Sequence, residues 1–122
     1  IYKDSHLGIF ASSCENMPNI LLETMASGLP IACSNRGPML EVLGQAGVFF
    51  NPEQPEGIAR ALRELIESPQ IRTELATASY ERVQEYSWLR CADETFGFLA
   101  RIIFTLYIVV ILFFFRCGRC CN

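Results

Sequence analysis

The chain has 122 residues, with ten Lys and Arg against thirteen Asp and Glu, so its net charge of −3 leaves no cationic surplus for a nucleic-acid backbone. Hydrophobic residues at 51% and charged residues at 19% exclude a disordered tail and suit one small domain with a core. Six cysteines without a secretion signal or a loop-rich framework point to reduced thiols in a cytoplasmic chain rather than to disulfides.

The chain opens at Ile1 inside an element and reads as a fragment that lacks its own N-terminus. His6 to Ala11 is a short apolar run closed by Ser12-Ser13, which predicts a buried strand leading into a loop. Pro18 suits the first turn of a helix, where its missing N–H is harmless. Leu21, Leu22, Met25 and Ala26 recur at helical spacing until Gly28-Leu29-Pro30 stops the helix. Pro30 to Cys33 predicts a second strand, Asn35-Arg36-Gly37 a turn, and Pro38 a helix through Val42 and Leu43 that ends near Gly44. Val48 to Phe50 predicts a third strand, closed by Asn51-Pro52. Ile58, Ala61, Leu62 and Leu65 form the stripe of a further helix, broken at Ser68-Pro69. Ile71, Leu75 and Ala78 continue into another helix that ends near Tyr86, and Ser87 suits the N-cap of a last one carrying Trp88, Cys91, Phe96 and Leu99.

Strand, helix, strand, helix, strand at this spacing is the signature of a parallel α/β sheet. Open sheets of this kind bind ligands beyond the carboxyl ends of their strands, which puts Ser12–Asn19 and Ser34–Pro38 at the ligand edge. Glu15 and Glu23 lie eight positions apart, one in the loop after the first strand and one in the helix that follows. Asn19, Glu23 and Ser27 share a helix face, while Leu22, Met25 and Ala26 face the sheet. Helical side chains lean toward the N-terminus, so Glu23 reaches the helix mouth. There the backbone N–H groups around Met17 to Leu21 form a seat for phosphate. A carboxylate repels phosphate, so the use for Glu23 and Glu15 is to accept hydrogen bonds from neutral hydroxyls of a ribose or a sugar. Glu15 has a further use, which is to shield a developing positive charge. The constellation implies a nucleotide-sugar site.

The stretch SSCENMPNILLETMASGLPIACSNRGPMLEVLGQAGVFFNP, within residues 1–101, resembles the donor-binding half of retaining GT-B glycosyltransferases of group 1. The matching features are Glu15 and Glu23 as an E-x7-E pair, Pro18-Asn19, Ala26 to Pro30, Gly37-Pro38 with Glu41-Val42, and the closing Tyr86-Ser87-Trp88 with Arg90-Cys91-Ala92. The resemblance implies a Rossmann-like parallel-sheet half of a GT-B fold. It implies Glu15 as the residue at the donor sugar and Glu23 as the ribose ligand. Asn16, Met17, Pro18, Asn19 and Ile20 become the segment that holds the diphosphate. It implies transfer with retention through an oxocarbenium-like transition state, with no metal and no cofactor besides the nucleotide-diphosphate sugar. The partners would be that donor, a glycan or lipid-linked acceptor, and an N-terminal acceptor-binding domain that precedes this stretch. The family's diphosphate-gripping Arg and Lys also precede it, and Lys3 stands too close to the first strand to serve as that Lys.

Other residues carry plainer expectations. Asn16 and Asn19 serve equally as helix caps, Cys14 as a core-edge residue, Arg36 as a surface cation, and Met17, Met25 and Met39 as packing. His6 is structural rather than a general base. Residues 102–122 depart from the family pattern as a hydrophobic tail. Leu99 to Phe115 offers seventeen residues with Arg101 as the one charge, against the roughly 20 that a spanning helix needs. A membrane anchor through residues 102–115, a helix awaiting a partner, and a mis-joined terminus are the three readings of that tail. Cys117, Cys120 and Cys121 would be acylated, metal-bound or idle. For the whole chain, a membrane-tethered nucleotide- or phosphate-binding module and an inert truncated piece are the alternatives to an enzyme.

Overall fold

A computed structural model describes residues 2–117, with side chains at residue 2 and residues 4–109. The chain forms two compact units, Ile1–Glu85 and Tyr86–Asn122.

In the first unit a 3-10 turn at Tyr2–Asp4 leads into β1 (Gly8–Phe10), α1 (Asn19–Ala26), β2 (Ile31–Ser34), α2 (Met39–Leu43), β3 (Val48–Phe50), α3 (Pro55–Glu67) and α4 (Pro69–Val83). The three strands form one parallel sheet in the order β1-β2-β3, as the α/β reading expects. Parallel neighbours need crossover segments, which α1 and α2 supply. Register places Ile9 beside Ala32, and Ala32 beside Val48. Every residue of the central strand β2 is buried, which accounts for its unbroken small and apolar run Ile31-Ala32-Cys33-Ser34.

One face of β2 and β3 gives Ala32 and Phe50 to a core closed by Ala61 and Leu65, with Val48, Ile58, Leu62, Ile71 and Leu75 packed around it. The helical stripe expected over Ile58 to Leu65 is therefore the face α3 turns to the sheet. Pro55 and Pro69 each stand in the first turn of their helix, and the Ser68 hydroxyl accepts from the Ile71 N–H to cap α4. At the far end of α4, Arg82 donates to the Val42 and Glu41 carbonyls at 2.7 and 2.6 Å and so closes the C-terminus of α2.

Several expectations are corrected. β1 is not a buried strand: it pairs only with β2 among the described residues, and Ile9 on its free edge is 50% exposed. The buried stripe of α1 is Leu21, Thr24 and Met25, with Ala26 exposed and Leu22 only half-buried. Thr24 is admitted because its hydroxyl donates to the Ile20 carbonyl at 2.7 Å, which removes its polarity from the interface. Met17 and Cys14 are exposed in the loop before α1, whereas Met25 and Met39 pack fully inside.

Cys33 is buried, and loss of water around its sulfur pushes its thiol pKa up from 9.0 to about 12. The folded chain thus keeps a proton that the unfolded chain releases. The stabilisation is complete below pH 9 and is lost as pH rises toward 12, with a slope of at most about 1.4 kcal/mol per pH unit. Urea unfolding across that range should show this fall, and Cys33→Ala should flatten it. A slope unchanged by that substitution would contradict the assignment. At neutral pH, thiol reagents should label the exposed Cys14 and Cys91 and spare Cys33.

The second unit holds α5 (Trp88–Cys117). The Ser87 hydroxyl accepts from the Arg90 N–H at 3.1 Å, the N-cap expected of it, and Arg90 pairs with Glu94 one turn on. Among the described residues no helix is long and apolar enough to cross a membrane. The span read over Leu99–Phe115 relies in part on residues 110–115, whose side chains are outside the described residues. Cys120 and Cys121 lie outside them altogether, as does the side chain of Cys117.

Candidate functional site

The carboxyl ends of the parallel strands open into the loop before α1, the Asn35–Pro38 turn, and the Asn51–Gln54 turn. Gly37, at φ +52°, permits the turn after β2 to pass close to the first loop. A Cβ at Gly37 would stand 3.8 Å from the Glu15 carbonyl oxygen. The two segments expected at the ligand edge therefore meet there.

Arg36 joins the second and third of these turns. One guanidinium nitrogen donates to Asn51 Oδ1 at 3.2 Å and to Glu53 Oε2 at 3.0 Å, while the Arg36 N–H donates to Ser34 Oγ at 3.2 Å. Arg36 is the surface cation of the turn, as expected, and it is ion-paired to Glu53. Its Nε is buried without a hydrogen-bond partner.

The helix mouth is set by Pro18, which occupies the N-cap position and is fully buried. No side chain caps this terminus, so neither Asn16 nor Asn19 takes the capping role weighed for them. The Asn19 N–H turns back to the Met17 carbonyl at 2.9 Å, and Leu22 N–H bonds Pro18 at 3.1 Å. Ile20 and Leu21 fall between them, where an N–H has no acceptor within the helix. The loop ahead is shaped by Ser12, whose hydroxyl donates to the Cys14 carbonyl at 3.2 Å.

Glu15, Asn16 and Met17 precede this mouth with exposed side chains, and Asn19 and Ile20 are exposed on its first turn. Glu23 follows on the exposed face of α1, in the row of Asn19 and Ser27 as the spacing implies. No hydrogen bond joins Glu15 to Glu23 among the described residues. Glu23 instead accepts a hydrogen bond from the Tyr2 hydroxyl, 2.9 Å from Oε2. That bond to a carboxylate is the main reason the Tyr2 phenol is held above its ordinary pKa, since it favours the protonated form. The arrangement presents donors for an anion at the helix mouth and acceptors for hydroxyls beside it.

Tyr2 and the Arg36–Asn51–Glu53 cluster are the features that sequence reasoning missed. Tyr2 lies 21 positions from Glu23, beyond any helical or strand periodicity, and only the crossover from the 3-10 turn through β1 to α1 joins them. A groove of about 450 Å³ elsewhere is lined by His6, Pro30, Arg72, Thr77 and Tyr80, among others. It lies at the amino ends of the strands, since His6 precedes β1 and Pro30 precedes β2. Its one guanidinium, that of Arg72, is engaged by the Leu65 and Ile66 carbonyls at 2.8 and 2.6 Å. Among the described residues no group of His, Cys, Asp and Glu side chains is placed to hold a metal ion.

The profile of the family described as Glycosyl transferases, group 1, matches residues 1–82. The O-antigen chain mannosyltransferase B of Escherichia coli is 28% identical over 96 residues, 78% of this chain and 25% of that protein. A sulfoquinovosyl transferase of Arabidopsis thaliana is 27% identical over 92 residues, 71% of this chain and 18% of the relative. A phosphatidyl-myo-inositol mannosyltransferase of Mycolicibacterium smegmatis is 31% identical over 90 residues, 72% and 22% of the two chains. The chain thus spans a quarter or less of the length of these relatives. Among solved structures, sucrose-phosphate synthase from Thermosynechococcus elongatus superposes with a TM-score of 0.72 at 22% identity, over 86% of this chain and 27% of that one. That likeness shows the fold, the Rossmann-like half expected from the sequence.

Proposed function

The chain belongs to the group 1 glycosyl transferases, and from that premise we propose that it is the donor-binding part of an enzyme that transfers a sugar from a nucleoside diphosphate with retention. The observation that carries this reading is the mouth of α1. Its terminus lacks a side-chain cap, with Glu15 three residues ahead of Pro18 and Glu23 one turn inside. The diphosphate rests on the amide of Ile20, on the exposed side of the mouth, where the helix dipole adds about 0.3–1 kcal/mol for an anion. The segment Asn16 to Asn19 shapes that seat. Glu23 accepts from the ribose hydroxyls. Glu15 faces the donor sugar, where its negative charge stabilises the oxocarbenium-like centre as the leaving diphosphate departs.

The donor is the only small molecule this reading requires, and the acceptor is a glycan or a lipid-linked saccharide bound by an N-terminal domain of the whole protein. Two relatives named above are mannosyltransferases, so a nucleoside diphosphate mannose is the first donor to try. Arg36 is engaged by Glu53 and Asn51, and the Arg and Lys that neutralise the leaving diphosphate lie upstream of this stretch, as the family resemblance implies. Their absence raises the barrier by roughly 3–4 kcal/mol, by analogy with removal of one charge-stabilising donor. The 122-residue chain should therefore bind donor without transferring its sugar. In a titration of the isotope-labelled chain with GDP-mannose, the amide resonances of Asn19 and Ile20 should move most. Shifts confined to Arg72, Thr77 and Tyr80 would refute the site.

Cytoplasmic placement with lipid contact through residues 102–115 is part of the proposal. The lipid contact is supported by Ile103, Phe104, Leu106 and Tyr107, which are all exposed on α5. The full chain should float with anionic liposomes and a chain ending at Arg101 should not. Equal partition of the two would contradict lipid contact.

A further inference from the structure

Glu23 is an exposed side chain with three rotatable bonds, so its carboxylate has no fixed direction unless a neighbour supplies one. Its own helix does not. Asn19 and Ser27 flank it on the same face, but the Ser27 hydroxyl donates to the Glu23 backbone carbonyl at 2.8 Å rather than to the carboxylate. The group that meets the carboxylate comes from outside the helix. It is the Tyr2 hydroxyl, 2.9 Å from Oε2, carried by a turn that the Ser5 N–H closes on the Tyr2 carbonyl at 3.1 Å. The Tyr2 ring is half-buried, and a phenol swings on only two torsions.

We propose that Tyr2 is a positioning residue for the nucleotide ribose: its hydroxyl holds Glu23 Oε2 so that Oε1 is aimed at the vicinal hydroxyls of the sugar. This rests on the reading of Glu23 as the ribose ligand. An ionised carboxylate has about four acceptor sites, and the phenol takes one. Two hydroxyl donors of a diol can therefore be received without displacing Tyr2. The phenol oxygen, whose O–H donates to Glu23, keeps lone pairs that can accept from one of those hydroxyls. Tyr2 thus makes the ribose contact cheaper by ordering the carboxylate before the ligand arrives.

The test is calorimetric titration of the 122-residue chain and of Tyr2→Phe with UDP, GDP and ADP, each beside its dideoxyribose counterpart. The wild-type chain should bind the ribose form more tightly than the dideoxy form. Tyr2→Phe should weaken the ribose form roughly three- to tenfold and leave the dideoxy affinity where it was. An unchanged dideoxy affinity also shows that the variant is folded, which separates positioning from general damage. A Tyr2→Phe chain that binds the ribose form as well as the wild type, or better, overturns the positioning role while the wild-type preference keeps Glu23 as the ribose ligand. Equal affinity of the wild-type chain for both sugar forms overturns the ribose reading and this inference with it.

Discussion

Truncating Leu21 to alanine is expected to remove about 2–5 kcal/mol of stability, a large share of the roughly 5–15 kcal/mol a domain holds. Leu21 is fully buried on α1, and its loss opens a cavity beneath the helix whose first turn forms the candidate site. The neighbouring Ile20 is 62% exposed, so Ile20→Ala should change stability by no more than about 0.5 kcal/mol. Urea unfolding of the two variants checks the contrast. The midpoint should fall sharply for Leu21→Ala at an unchanged slope and barely move for Ile20→Ala. Equal midpoints would mean that α1 does not pack as described.

Glu23→Ala is expected to lower affinity for a nucleoside diphosphate by about tenfold. Hydrogen bonds to an ionised group contribute roughly 1.5–3 kcal/mol, and solvent at this exposed face puts the effect at the low end of that range. Glu15→Ala should behave differently. It should leave the nucleoside diphosphate affinity nearly intact and weaken only the nucleotide sugar, because the proposed function puts it at the sugar. Calorimetric titration of both variants with GDP and GDP-mannose separates the two glutamates. Equal losses on GDP alone would contradict the division of roles.

Much of the scaffold was legible because its signals are local. The βαβ alternation, Pro18, Pro38, Pro55 and Pro69 at helix starts, and Gly44 after α2 each act within a few residues, and the parallel sheet follows from them. The stripe of α3 was read correctly because four apolar residues repeat at one period. The stripe of α1 was misplaced by one position because Thr24, polar by type, hides its hydroxyl in a bond to Ile20. β1 was read as buried because Leu7, Ile9 and Phe10 are apolar, yet apolar composition does not say whether a second strand covers an edge. The candidate site divides in the same way. Glu15, Asn19 and Glu23 are singled out by their spacing on one loop and one helix together with the family resemblance, and the structure places Asn19 and Glu23 on one exposed helix face. Tyr2 against Glu23, and Arg36 against Asn51 and Glu53, come from chain crossings of 21, 15 and 17 residues that no periodicity encodes.

Gly47 shows a further constraint that composition hides. A Cβ there would come within 2.9 Å of the Ile31 carbonyl oxygen and against Leu43, so this glycine lets α2 turn closely into β3 beside the central strand.

The most direct measurement is a crystal structure of the chain soaked with GDP-mannose. The account predicts a diphosphate oxygen on the Ile20 amide, a ribose hydroxyl on Glu23, and the mannose turned toward Glu15. Nucleotide density in the groove between His6, Arg72 and Tyr80, with the mouth of α1 occupied only by water, would contradict it.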